Sequence, residues 1–210
     1  MIDLLPLTQE GNEPVEWQGE TPQLRWRWQG EGVLELTPRQ PYRQAMVMSA
    51  GVHGNETAPI ELLNQLVGDL LAGRLPLRVR LLVVLGNPAA MRAGKRYLHS
   101  DMNRMFGGRY RNFAASGETV RAQQLERALA AFFDGEQAAR FHYDLHTAIR
   151  ESRLPRFGIL PFQKRPYSEP MLQLLDAADL DALVVHSAPG GTFSHYSSEH
   201  LNAASCTLEL

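Results

Sequence analysis

The sequence predicts an α/β fold, a mixed and largely parallel sheet with helices on both faces and an N-terminal hairpin. Three observations point to it. Met46-Val-Met48 reads as a buried strand that passes through Gly51 and Gly54, whose backbones reach angles other residues resist, into a helix start. Ile60, Leu63, Leu66, Val67, Leu70 and Leu71 then fall at helical spacing, up to a stop at Gly73. Arg78-Val-Arg-Leu-Leu-Val-Val-Leu85 is a nearly continuous apolar run, as a strand covered on both faces requires. Strand, helix, strand in that order makes a parallel unit with a right-handed crossover.

The remaining elements follow in chain order. Residues 1–20 are acidic and turn-rich and carry no recognisable chemistry. Gln23 to Gln29 alternates with period two, Gly30-Glu-Gly32 is a turn, and Val33 to Thr37 returns, making a hairpin with one wet face. Its Arg/Trp alternation also suits a nucleic-acid platform, but a half-buried edge strand has the same pattern. At the central helix, Asn55 or Thr57 is expected to cap and Pro59 to sit in the first turn. Beyond Asn87-Pro88 comes a long polar stretch, Lys95-Arg96-Tyr97 and Asp101 to Gly108, of the kind that is more often functional than idle. Gly117 to Phe133 predicts an amphipathic helix with Val120, Leu125, Leu129 and Phe132 as its stripe. Strands are expected at Phe141–Leu145, Arg156–Leu160 and Ala182–His186, with a helix over Glu169–Ala178. Pro189 to Tyr196 reads as a flexible glycine-rich loop, and Ala203 to Leu210 as a final buried strand with an out-of-place carboxylate, Glu209.

With 210 residues, 44% hydrophobic and 21% charged, the chain suits one globular domain with a good core. A net charge of −2 does not advertise nucleic acid as a partner. The one cysteine, Cys206, excludes an internal disulfide framework and fits a reducing compartment. No signal peptide and no apolar run of roughly 20 residues is visible, so the expected address is cytoplasmic, with no membrane partner.

The chemistry gathers at strand ends. His53 and Glu56 sit where a strand gives way to a helix, which in open α/β sheets is the ligand-binding edge. An imidazole and a carboxylate three residues apart can reach one cation, and both suit zinc. Phe141-His-Tyr-Asp-Leu-His146 supplies a third ligand at the end of another short buried strand. Asp144 lies close enough to orient His146, although a regular strand is expected to point the two opposite ways. His186 and His195 are weaker candidates for ligands.

Taken together, Gly51-Val-His53-Gly-Asn-Glu56, Asn87-Pro88, Arg96-Tyr97, Asp101-Met-Asn103-Arg104-Met-Phe106, Asp144-Leu-His146-Thr147 and Thr207-Leu-Glu209 resemble the aspartoacylase and succinylglutamate desuccinylase family of zinc amidohydrolases, relatives of the zinc carboxypeptidases. The pieces run in family order from about residue 45 to the end. The hairpin, Asp144–Thr147 and Pro189-Gly-Gly-Thr192 are most similar to the desuccinylase branch. The resemblance implies a zinc-carboxypeptidase-like fold and one zinc per chain on His53, Glu56 and His146. It implies Glu209 as general base, Arg96 as the group polarising the scissile carbonyl, and Asn103 with Arg104 as carboxylate binders. The implied substrate is a small N-acyl amino acid, N-succinyl-L-glutamate, cleaved to succinate and glutamate during arginine breakdown. Lys95, Arg96, Arg104 and Arg150 are plausible partners for its three carboxylates.

The family normally continues beyond the Glu209 strand into a smaller, mostly β domain that helps close the active site. The resemblance therefore implies that residues 1–210 are a truncated catalytic domain, whose own turnover is in doubt. Other readings of the same residues are an aspartoacylase-like deacylase or a carboxypeptidase acting on another N-acyl amino acid, and a metal-binding but inactive fragment. The oligomeric state is not legible.

Overall fold

The computed structural model describes residues 2–148 and 153–210. In chain order they form α1 (Leu4–Glu10), β1 (Gln18–Glu20), β2 (Leu24–Gly30), β3 (Val33–Pro38), β4 (Gln44–Ala50), α2 (Thr57–Leu71), β5 (Arg80–Leu85), α3 (Pro88–Arg92), α4 (Gly117–Phe133), β6 (Ala139–His146), β7 (Phe157–Leu160), α5 (Glu169–Ala177), β8 (Ala182–Val185), α6 (Phe193–Leu201) and β9 (Ala204–Glu209), with 3-10 turns at Met102–Arg104 and Arg109–Asn112.

The nine strands make one mixed sheet in the order β1-β2-β3-β5-β4-β6-β9-β7-β8. Parallel pairing joins β5-β4-β6-β9 at the centre and β7-β8 at one margin; the hairpin side and the β7-β9 pair are antiparallel. Four of the eight strand pairs are parallel, so the expected preponderance of parallel pairing does not hold for the sheet as a whole. At the centre the β4-α2-β5 crossover brings Met46 opposite Leu81 and Met48 opposite Val83.

Strand alternation divides the core between the two faces. Leu81, Val83 and Leu85 of β5 pack with Ile60, Leu63, Val67 and Leu70 of α2 and Met171 and Leu175 of α5. Leu82 and Val84 pack on the other face with Leu125, Leu129 and Phe132 of α4 and Phe193 of α6. Each fully buried leucine here contributes roughly 1.5–3 kcal/mol relative to an exposed one. In β2, Leu24, Trp26 and Trp28 are buried while Arg25, Arg27 and Gln29 face outward, as the period of two required. Arg27 is engaged by Glu35 at 2.8 Å.

Several expectations need correction. Val120 is 53% exposed; Ala122 and Phe133 complete the α4 stripe instead. Residues 193–196 are not loop: Thr192 caps α6, its hydroxyl accepting from the His195 amide at 3.2 Å. Neither Asn55 nor Thr57 caps α2, because Glu56 occupies the cap position and its carboxylate is turned away into the site. Helices α1 and α3 went unforeseen, since seven and five residues are too short to show a period.

Candidate metal centre

Two glycines shape the turn between β4 and α2 for different reasons. Gly51 has φ +68°, the left-handed region, whereas at Gly54 a Cβ would stand 2.3 Å from the Ala90 carbonyl carbon in α3. This tight approach carries His53 and the Glu56 cap position to the carboxyl ends of β4 and β6, where β6 terminates in His146. Nδ1 of His53 lies 2.9 Å from Oε1 of Glu56, Nδ1 of His146 lies 2.9 Å from its Oε2, and the two Nδ1 atoms are 3.1 Å apart. All three side chains are buried. Their ligand atoms fall within 4.8 Å of one another, a spacing that can hold a metal ion.

The outer nitrogens explain this convergence. Nε2 of His146 meets Asp144 Oδ2 at 2.9 Å, and Nε2 of His53 meets Asp101 Oδ1 at 3.1 Å. Carboxylates only accept, so each Nε2 donates to its aspartate, and a ring that has shed its inner proton turns an Nδ1 lone pair inward. Two lone pairs and an anionic carboxylate then face one another, and a cation at their meeting point satisfies all three. The donor set of two imidazoles and one carboxylate, with both outer nitrogens braced, fits zinc. Protons can share that space only by charging the rings. Burial opposes this at His146, but Asp144 and Glu56 outweigh it and push the imidazole up to about 10. At His53 burial likewise pushes the pKa down, but hydrogen bonds to Asp101 and Glu56 outweigh it and raise the imidazole above its ordinary value. Glu56 is held far below the usual carboxylate range despite burial, by its hydrogen bonds to both histidines.

Contrary to expectation, Asp144 and His146 share a face of β6, as residues two apart on a strand must. His142 lies on that same face.

A cleft of about 730 Å³ opens over the cluster, lined by Arg96, Asn103, Arg104, Thr147, Thr192, Ser194, Thr207 and Glu209 besides the three donors. Arg96 donates from Nη1 to Glu56 Oε1 at 2.9 Å. Asn103 is buried and its Oδ1 accepts from the Phe193 amide at 2.9 Å, which leaves its NH2 as the group with hydrogen bonds to give. Arg104 is exposed, one of its N–H groups held by the Asn103 carbonyl at 2.8 Å. Glu209 stands beside His146 in register; burial and the nearby Glu56 and Asp144 raise its carboxyl above the ordinary range, against His146. His186 lines the cleft outside the cluster, and His195 faces Glu199 at 3.5 Å instead. Lys95 is exposed and away from the cleft lining, and Arg150 lies outside the described residues.

Asp101 lies within the Asp101–Phe106 motif, and its contact with His53 cannot be read from the sequence. Ser49 and His142 were missed outright. The signal existed: Phe141-His-Tyr-Asp-Leu-His146 alternates strictly, so its three polar side chains share one face.

The fold is shared with the metallo-carboxypeptidase of Burkholderia cenocepacia, at TM-score 0.64 and 16% identity, over 91% of this chain and 56% of that one. More narrowly, residues 42–210 match the succinylglutamate desuccinylase/aspartoacylase catalytic domain, and the chain belongs to that family. It is 77% identical over its full length to the succinylglutamate desuccinylase of Serratia proteamaculans and 60% identical to that of Yersinia pestis. It spans 64% of the length of each of these relatives. The crystal structure of the succinylglutamate desuccinylase from Chromobacterium violaceum superposes with TM-score 0.90 at 39% identity, over 99% of this chain and 65% of that one. Among the described residues no helix is long and apolar enough to cross a membrane.

Proposed function

We propose that the chain is the catalytic part of a zinc amidohydrolase that cleaves N-succinyl-L-glutamate to succinate and L-glutamate, in arginine breakdown by the succinyltransferase route. One observation carries the reading: two braced imidazoles and a carboxylate converge at the floor of a cleft that also holds Arg96, Asn103, Arg104 and Glu209. The names of the relatives supply the substrate. His53, Glu56 and His146 would hold a zinc ion, which when bound would supply Lewis acidity toward the amide carbonyl and lower the pKa of an attacking water. Glu209 takes the proton from that water and passes it to the leaving amine; a carboxyl raised toward neutrality by burial suits both halves of that task. Arg96 donates to the carbonyl oxygen as negative charge builds there. Arg104 and the Asn103 amide hold substrate carboxylates, charge against charge and N–H against oxygen. The lone buried thiol of Cys206 supports a reducing compartment, and we place the reaction in the cytoplasm.

The test is a side-by-side assay of the zinc-loaded protein with N-succinyl-glutamate, N-acetyl-aspartate and a peptide with a free C-terminus, alongside metal analysis. One zinc per chain and preferential hydrolysis of N-succinyl-glutamate are expected. Faster turnover of either competitor makes the chain a deacylase or peptidase of other specificity. Bound zinc with no hydrolysis of any of the three leaves a metal-binding fragment.

A further inference from the structure

Behind His146 a chain of buried polar groups runs away from the cleft. Asp144 Oδ1 accepts from the Ser49 hydroxyl at 2.6 Å, Ser49 Oγ lies 2.9 Å from His142 Nε2, and His142 Nδ1 lies 2.7 Å from Ser197 Oγ. Ser197 Oγ in turn lies 2.9 Å from Ser205 Oγ. Ser49, His142, Asp144 and Ser197 are all wholly buried. Strand register makes the chain possible: Ser49 pairs with Asp144 across β4-β6, and His142 with Ser205 across β6-β9, while α6 lowers Ser197 onto the same face.

Proton counting allows one assignment from Asp144 to His142. The ionised Asp144 has no proton to give, so His146 donates to it from Nε2 and Ser49 from its single O–H. Ser49 Oγ has then spent its proton and must accept one from His142 Nε2. Nδ1 of the neutral His142 is left as an acceptor facing the Ser197 hydroxyl at 2.7 Å, whose Oγ also lies 3.0 Å from the Ser194 carbonyl. From His142 through Ser49 each donor points toward Asp144, so each bond there polarises the next in the same sense. A hydroxyl and an imidazole buried this deeply would otherwise serve only to fill space at the cost of desolvation.

We propose that Ser49 and His142 are positioning residues for the metal centre: their one-way hydrogen-bond chain fixes the Asp144 carboxylate and thereby the tautomer and aim of His146. Neither touches the reacting atoms. The reading rests on His146 as a metal ligand. Burial keeps His142 uncharged, as the chain requires, by pushing its pKa down to about 4.

Zinc affinity, measured by competition with a chromophoric chelator, tests this without reference to turnover. Ser49→Ala is expected to weaken zinc by up to about 10-fold, below the roughly 10–100-fold cost of losing a group that bonds the metal-binding histidine directly. His142→Phe should weaken it less. Because His142 acts through Ser49, the double variant should bind zinc no more weakly than Ser49→Ala alone; additive losses overturn the chain. Parent-like affinity in both single variants, with zinc lost in His146→Ala, also overturns it. Parent-like affinity in His146→Ala as well overturns the ligand assignment beneath it. Long-range 1H–15N spectra of the unmutated protein need no variant to fold. They should show His142 neutral with its proton on Nε2, and a proton on Nδ1 instead refutes the direction assigned.

Discussion

His142 offers a quantitative check on this polar layer. In the fold its pKa falls from 6.5 to about 4, chiefly through burial, with His146 adding to the shift and Asp144 opposing it. The unfolded chain therefore takes up a proton on His142 between those values while the folded chain does not. A depressed folded pKa means that the contribution to stability is fully present above 6.5 and drains away as pH falls toward 4. At about 1.36 kcal/mol per pKa unit, the 2.5-unit gap is worth about 3 kcal/mol in all, of which about 2 kcal/mol is lost between pH 7 and pH 4.5. Other groups titrate across this range, so the informative quantity is a difference. Urea unfolding of the parent and of His142→Gln, both with chelator present, should show the parent losing about 2 kcal/mol more than the variant over that interval. Equal pH dependence of the two would refute the reasoning, as it would mean that His142 titrates normally in the fold.

Three further outcomes are expected. Arg96→Ala should lower kcat by about 2.7–4 kcal/mol of barrier, as loss of an oxyanion donor does, whereas Arg104→Ala should act mainly on KM; steady-state kinetics separates the two. Glu209→Gln should keep one zinc per chain and lose nearly all turnover, since the amide cannot take a proton from water; metal analysis beside an activity assay decides this. Gly54→Ala forces a Cβ to within 2.3 Å of the α3 backbone, so it should cost about 1–3 kcal/mol in stability and weaken zinc as His53 is displaced, both readable by melting and chelator competition.

Much of this protein was legible in its residues. The spans expected for α2 and α4 match those observed, because burying one apolar stripe imposes a 3.6-residue period. The double-sided burial of β5 was equally plain from its unbroken apolar run. His53, Glu56, His146 and Glu209 were found as polar chemistry at the ends of apolar strands, and they do share one cleft. Only the tertiary structure decided what stands behind them. Ser49 and His142 are 93 residues apart in the chain, and His53 and Asp101 are 48 apart. Periodicity records how each segment divides itself between core and solvent. It carries no record of which buried serine or aspartate will face which histidine once β4, β6 and β9 are laid side by side, because that choice is made by strand order and register and not by any local preference of the residues involved.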